Sequence, residues 1–125
     1  EQASRLISKN NRLVLVSTDN KTLILYDLIE KLRGTIQLDD DAGQCEAICL
    51  SNNNNNKEYE QYLFIICHDR FLRMYNVSNG KQITKLFIHT DLNSFIEILN
   101  NKLLLKVANH LCIIQIINKK LLSNK

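Results

Sequence analysis

Residues 69–98 read Asp69-Arg-Phe-Leu-Arg-Met-Tyr75-Asn-Val-Ser-Asn-Gly80-Lys-Gln-Ile-Thr-Lys-Leu86-Phe-Ile-His89-Thr-Asp-Leu-Asn-Ser-Phe-Ile96-Glu-Ile98, and their reading decides the fold. His68 and Asp69 mark a tight turn. Leu72 and Met74 then alternate with other residues, as a strand with one face packed requires. Ser78-Asn79-Gly80 is a second turn, built from residues that tolerate tight-turn dihedrals. Lys81–Phe87 predicts another strand, and Phe95–Leu99 a further one, with Ile96 and Ile98 on one face. Short strands separated by turn residues point to an antiparallel, all-β chain.

Working outward, the stretch has counterparts. Asn20-Lys-Thr-Leu-Ile-Leu-Tyr26-Asp-Leu lines up with Asp69-Arg-Phe-Leu-Arg-Met-Tyr75-Asn-Val, and both line up with Asn109-His-Leu-Cys-Ile-Ile-Gln115-Ile-Ile. Ahead of each lies a short apolar run, Leu13–Val16, Tyr62–Cys67 and Leu103–Val107, of the kind that fits a strand buried on both faces. Ahead of those lie Arg5–Ser8, Cys45–Ser51 and Phe95–Leu99, and after each aligned segment comes a fourth strand, Gly34–Leu38, Lys81–Phe87 or Lys119–Ser123. Leu103–Leu122 lacks an amphipathic stripe, and Ile113, Ile114, Ile116 and Ile117 favour strand over helix there. The chain thus predicts eleven or twelve short strands in three units, approximately residues 1–38, 45–87 and 95–125. Asn52–Asn56 and the polar residues up to Gln61 form a low-complexity loop at 52–61, read as a surface insertion.

The stretch 69–98 resembles a WD40 repeat, the unit of a β-propeller blade. Family sequences run roughly Asp-x-Thr-Ile-x-Val-Trp-Asp, then a Gly-Lys turn, a short strand, a Gly-His pair and a strand ending Val-x-Phe. Here Asp69 stands at the turn aspartate, Leu72 and Met74 at the inward apolar positions, Tyr75 at the tryptophan and Asn76 at the second aspartate. Gly80-Lys81 is the turn, and Ile88-His89 replaces Gly-His. Tyr75 and Gln115 are 40 residues apart, within the roughly 40–45 of such repeats. Tyr26 and Tyr75 are 49 apart, the surplus lying in the asparagine insertion. The resemblance implies WD40-type propeller blades, each a four-stranded antiparallel sheet. Three blades do not close a ring, since propellers typically use four to eight. The expectation is therefore a partial or segmented propeller, completed by more of the same polypeptide or by a partner, with a smaller or atypical all-β domain as the alternative.

Composition narrows the class. Hydrophobic content of 45% fits a folded chain of 125 residues, and no apolar stretch reaches the roughly 18–20 residues of a membrane helix. No secretory leader is visible from Glu1 onward. The net charge of +3 is spread without a basic tract, so direct nucleic-acid binding is not implied. Cys45, Cys49, Cys67 and Cys112 read as buried, reduced thiols, which favours an intracellular site, cytoplasm or nucleus. Strand periodicity places Cys45 and Cys49 on one face, but no ligand pair completes a zinc site. Glycine-rich phosphate loops, Gly-x-Ser-x-Gly and His-Glu-x-x-His are missing from the sequence, so no cofactor, metal or catalytic residue is expected.

The resemblance gives several residues structural roles: Asn20, Tyr26, Asp69, Tyr75, Gly80, His89 and Asn109. In the family the histidine bonds a turn aspartate and, through a hydroxyl, the tryptophan. For His89 that leaves a contact with Asn109, because Val107 takes the hydroxyl position and Gln115 the tryptophan position. Asp41 takes the histidine position for the unit of Asp69, so that unit's brace is expected to be absent. The run Asp39-Asp40-Asp41 connects one blade to the next. In propellers such connections, with the loops leaving the inner strand, are read here as one rim around the channel. With Thr90 and Asp91, these residues are the candidate surface for a basic segment of a partner protein.

Function follows as expectation: a non-catalytic scaffold binding other protein subunits in a complex, with RNA involved only indirectly and no membrane. A second class is an accessory propeller subunit of an RNA-modifying or RNA-processing enzyme. Thr18–Tyr26 and Cys45–Leu50 resemble the propeller subunits of tRNA guanine-N7 methyltransferases, which stabilise a catalytic partner.

Overall fold

A computed structural model describes residues 3–9, 12–17, 21–28, 31–51, 62–88, 94–99, 102–107, 110–117 and 120–124. All of its regular structure is β. The strands are β1 (Ala3–Lys9), β2 (Arg12–Ser17), β3 (Thr22–Asp27), β4 (Leu32–Gln37), β5 (Cys45–Leu50) and β6 (Tyr62–Cys67). They continue as β7 (Phe71–Asn76), β8 (Gln82–Phe87), β9 (Ser94–Leu99), β10 (Lys102–Val107), β11 (His110–Ile117) and β12 (Lys120–Asn124). Each consecutive four form one antiparallel meander, β1-β2-β3-β4, β5-β6-β7-β8 and β9-β10-β11-β12. The first strands of the sheets lie side by side, β1 next to β5 and β5 next to β9. Leu103–Leu122, where a helix competed, forms β10 and β11 and enters β12.

Two apolar layers hold the sheets together. Between the first and second sheets lie Leu23, Leu25, Ile36 and Leu38 against Leu50, Leu63, Ile65 and Tyr75. Between the second and third lie Phe64, Ile66, Leu72 and Met74 against Leu103, Leu105, Ile114 and Leu121. The middle sheet is therefore covered on both faces. That explains why β6 is buried from Leu63 through Cys67 without alternation, as its unbroken apolar sequence requires. Burying a side chain such as Phe64, wholly removed from water, contributes on the order of 2–3 kcal/mol.

A repeated irregularity ties the sheets to one pattern. The pairing register slips by one residue near the start of every inner strand: between Ala3 and Arg5 on β1, between Cys45 and Ala47 on β5, and opposite Leu104/Leu105 on β9. Such a bulge leaves one residue unpaired and reverses which face the following residues occupy. This corrects one expectation. Cys45 joins the layer against the first sheet while Cys49 packs on the layer against the third, so the two cysteines lie on opposite faces. Simple period-two counting fails there because the bulge adds a residue.

The β7–β8 turn sits against the first sheet. Asn76 Oδ1 accepts from the Ser78 N–H at 2.8 Å and Asn79 Oδ1 from the Lys81 N–H at 2.9 Å. Gly80 adopts φ +71°, and a Cβ there would stand 3.3 Å from the Thr35 carbonyl oxygen of β4. The glycine thus serves both the turn and the approach of the neighbouring sheet.

Candidate interaction rim

The rim grows from the backbone. The β4–β5 connection, residues 38–44, runs against the turn between β6 and β7. The His68 N–H donates to the Gln44 carbonyl at 2.8 Å, and the Asp69 N–H to the Ala42 carbonyl at 3.0 Å. Within the connection the Ala42 N–H donates to the Asp39 carbonyl at 3.0 Å, and Ala42 is buried. Gly43 adopts φ +80°, and a Cβ on it would fall 2.9 Å from the His68 Cβ. Only glycine lets the two segments approach this closely.

Asp69 organises the turn. Its Oδ1 accepts the Phe71 N–H at 3.1 Å, a side-chain mimic of a backbone turn. The same carboxylate grips the Arg73 guanidinium with both oxygens, Nη1 to Oδ1 at 3.0 Å and Nη2 to Oδ2 at 2.7 Å. Paired contacts of this kind are the strong form of the interaction. Arg73 Nη2 also reaches Asp39 Oδ2 at 3.2 Å, so one guanidinium ties the interblade connection to the turn. Arg73 is 1% exposed, Asp69 19% and Asp39 53%, which grades the carboxylates from buried to open. Arg73 Nε has no partner among the described residues. The Phe71 ring lies against Arg73 at 5.7 Å and Lys85 at 4.5 Å, and meets Phe87 edge-on at 5.3 Å.

The electrostatics follow from burial and pairing. Burial works to raise the Asp69 pKa, but the hydrogen bonds from Arg73 and the Phe71 N–H and the charge of Arg73 outweigh it. The carboxyl is held below its ordinary value. The Asp69 hydrogen bond raises Arg73 further against its own burial, so the guanidinium stays charged. Burial pushes the Cys67 thiol up to about 12, with Cys45 adding to it, and also pushes Tyr75 upward.

Outside this brace lies an acidic surface. Asp40 and Asp41 are exposed, and Glu46 Oε1 lies 3.2 Å from Nδ1 of the exposed His68, an ion pair when that histidine is protonated. Among the described residues, no three Cys, His, Asp or Glu side chains are grouped to hold a metal ion. The arrangement offers fixed charge and shape.

Of the residues singled out from sequence, Asp39, Asp40, Asp41 and Asp69 come together here. Tyr75 is buried between the first two sheets and Tyr26 is partly buried on β3. Asn20, His89, Thr90, Asp91 and Asn109 lie outside the described residues. Two expectations change. The β4–β5 connection shares its edge with the β6–β7 turn and not with the loop leaving β5, because an antiparallel partner returns β6 to the edge where β5 began. The unit of Asp69 is also not without a brace, since Arg73 replaces the histidine as the turn aspartate's partner. Arg73 was missed by sequence reading. Its signal was a lone cation amid the apolar residues of β7, four positions after a turn aspartate.

No family model matches the sequence, and no curated protein matches it. Solved structures do match its fold. The β-propeller domain of Cps50 (Swd1) from Myceliophteria thermophila superposes with a TM-score of 0.70 at 9% identity, covering 98% of this chain and 38% of that one. The computationally designed Ika4 protein gives a TM-score of 0.62 at 11% identity, over 86% of this chain and 62% of that one. KlHsv2, with its loop 6CD replaced by a Gly-Ser linker, gives 0.62 at 11% identity, over 92% and 34%. At these identities the likeness establishes the β-propeller fold alone. The chain spans 38%, 62% and 34% of the lengths of these structures.

Proposed function

We propose that the chain forms part of a non-catalytic WD-repeat propeller scaffold, binding other protein subunits of an intracellular complex, in the cytoplasm or nucleus, through the Asp39–Asp41 rim. One observation carries this reading: the buried Arg73 clamps the connection that holds Asp39, while Asp40 and Asp41 stay exposed beside it. A loop fixed in advance loses little freedom on binding, and its carboxylates steer a basic partner segment into register. The turn bond of Asp69 and the left-handed turn glycine Gly80 support the WD-repeat assignment. Further blades complete the ring, from the same polypeptide or a partner. The face of the third sheet turned from the second supports this, since it leaves Leu122 47% exposed and Leu104 and Ile113 only partly covered. Nothing among the described residues favours an accessory role in RNA modification over this reading.

The test is a charge reversal in the full natural polypeptide, Asp40→Lys with Asp41→Lys, followed by quantitative co-purification and zero-length carboxylate–amine crosslinking. The expected result is a partner crosslinked through the rim and bound at least about tenfold more weakly by the variant, with reduced salt sensitivity. Unchanged recovery of every subunit by the charge-reversed protein would refute the rim as the binding surface.

A further inference from the structure

Cys45 opens β5 and Cys67 closes β6, and the two are direct partners across the antiparallel pair. The adjoining rung, Gln44 with His68, is the hydrogen-bonded one. Cys45 and Cys67 therefore occupy the non-hydrogen-bonded rung, where opposed side chains come closest. The bulge between Cys45 and Ala47 turns Cys45 onto the face that Cys67 occupies, and both join the layer against the first sheet. Cys45 Sγ lies 3.8 Å from the Ala47 carbonyl oxygen, and the charge of the Arg73 guanidinium acts on the Cys67 thiol. Cys49 and Cys112 pack on the opposite layer, across the sheet from this pair.

We propose that Cys45 and Cys67 are a redox modification site, a dithiol that a peroxide converts into a cross-strand disulfide joining β5 to β6 beneath the Asp39–Arg73–Asp69 brace. Directly opposed residues of an antiparallel pair have Cα atoms about 4.5–5.5 Å apart, within the range a disulfide spans. One sulfur attacks a peroxide oxygen, the O–O bond breaks, and the products are a sulfenic acid and one water. The second sulfur attacks the first, forms the S–S bond and expels the hydroxyl as a second water. The two thiol protons end in the two waters, and the two electrons lost by the sulfurs reduce the peroxide. Arg73 favours the thiolate of Cys67, and burial opposes it more strongly. The reaction is therefore slow and selects a small, uncharged oxidant.

The experiment uses the full natural polypeptide, purified reduced, folded, and exposed to hydrogen peroxide. Remaining thiols are then alkylated under denaturing conditions, and the protein is digested without reduction at Lys, Arg and Glu. Cleavage after Glu46 separates Cys45 from Cys49. The expected product is the Cys45 peptide linked to the Cys67 peptide, lighter than their sum by two hydrogen atoms and released by dithiothreitol. Recovery of Cys45 and Cys67 only as alkylated thiols, as sulfinic acids, or linked to Cys49 or Cys112 would overturn the assignment. The wild-type digest decides the matter without any variant having to fold.

Discussion

Replacing Asp69 by Asn tests whether the buried ion pair holds the rim. The amide oxygen of Asn still accepts the Phe71 N–H, so the turn survives and only the charge is removed. Arg73, 1% exposed, then loses its 2.7 Å bond and its buried counter-charge, keeping only the neutral amide oxygen and the 3.2 Å contact to the half-exposed Asp39. Stranding one member of a buried pair costs about 3–5 kcal/mol. Arg73→Met removes the other member while keeping the stem's volume. Asp69 retains the Phe71 N–H and 19% exposure, so part of its hydration returns and the loss falls toward the lower end, about 3 kcal/mol. Asp39→Asn touches a pair whose acid is 53% exposed, and its cost is about 1 kcal/mol or less. The double variant Asp69→Asn/Arg73→Met strands no charge, so its cost falls short of the sum of the singles by about 2 kcal/mol. Urea unfolding of the full natural polypeptide, followed by circular dichroism, gives the four values. Hydrogen exchange at the Ala42, His68 and Asp69 amides localises the effect to the rim. Equal losses for Asp39→Asn and Asp69→Asn, or an additive double variant, would refute the buried pair as the source of the stability.

Two further outcomes follow from the same geometry. Gly43→Ala combines a left-handed φ of +80° with a Cβ placed 2.9 Å from the His68 Cβ, so it costs about 1–3 kcal/mol in the same unfolding assay; a cost near zero would mean that the connection does not press on the turn. Stability also declines at both ends of the pH range. Asp69 has a lowered folded pKa, so its contribution is present above the unfolded carboxylate value of roughly 3.9 and is lost as pH falls through the folded value. Cys67 is raised to about 12, so its contribution is intact below the unfolded thiol value and is lost as pH rises from there toward 12. Tyr75, also raised, adds to the alkaline loss. Unfolding midpoints that stay flat through both windows would contradict these assignments.

The all-β chain of short antiparallel strands was legible in the sequence because local signals agree with one another. Asn, Asp and Gly mark the turns, the apolar runs have strand length, and the repeat spacing agrees once the asparagine insertion is set aside. The fully apolar β6 could even be read as a mid-sheet strand, since burial on both faces needs no polar alternation. Asp69 and Gly80 were legible for the same reason, as each is fixed by its own turn.

Tertiary structure decided what depends on partners distant in sequence. The bulge at Cys45–Ala47 exists only through pairing with β6, and it puts Cys45 and Cys49 on opposite faces. Arg73 reads as a misplaced surface charge until Asp39, 34 residues earlier, is folded onto it. An arginine in an apolar strand is unstable by itself and stable when paired, and that pairing joins two segments no local rule connects. The residue types came from the sequence; the brace and the exposure of the rim carboxylates came from the packing of the β4–β5 connection on the β6–β7 turn.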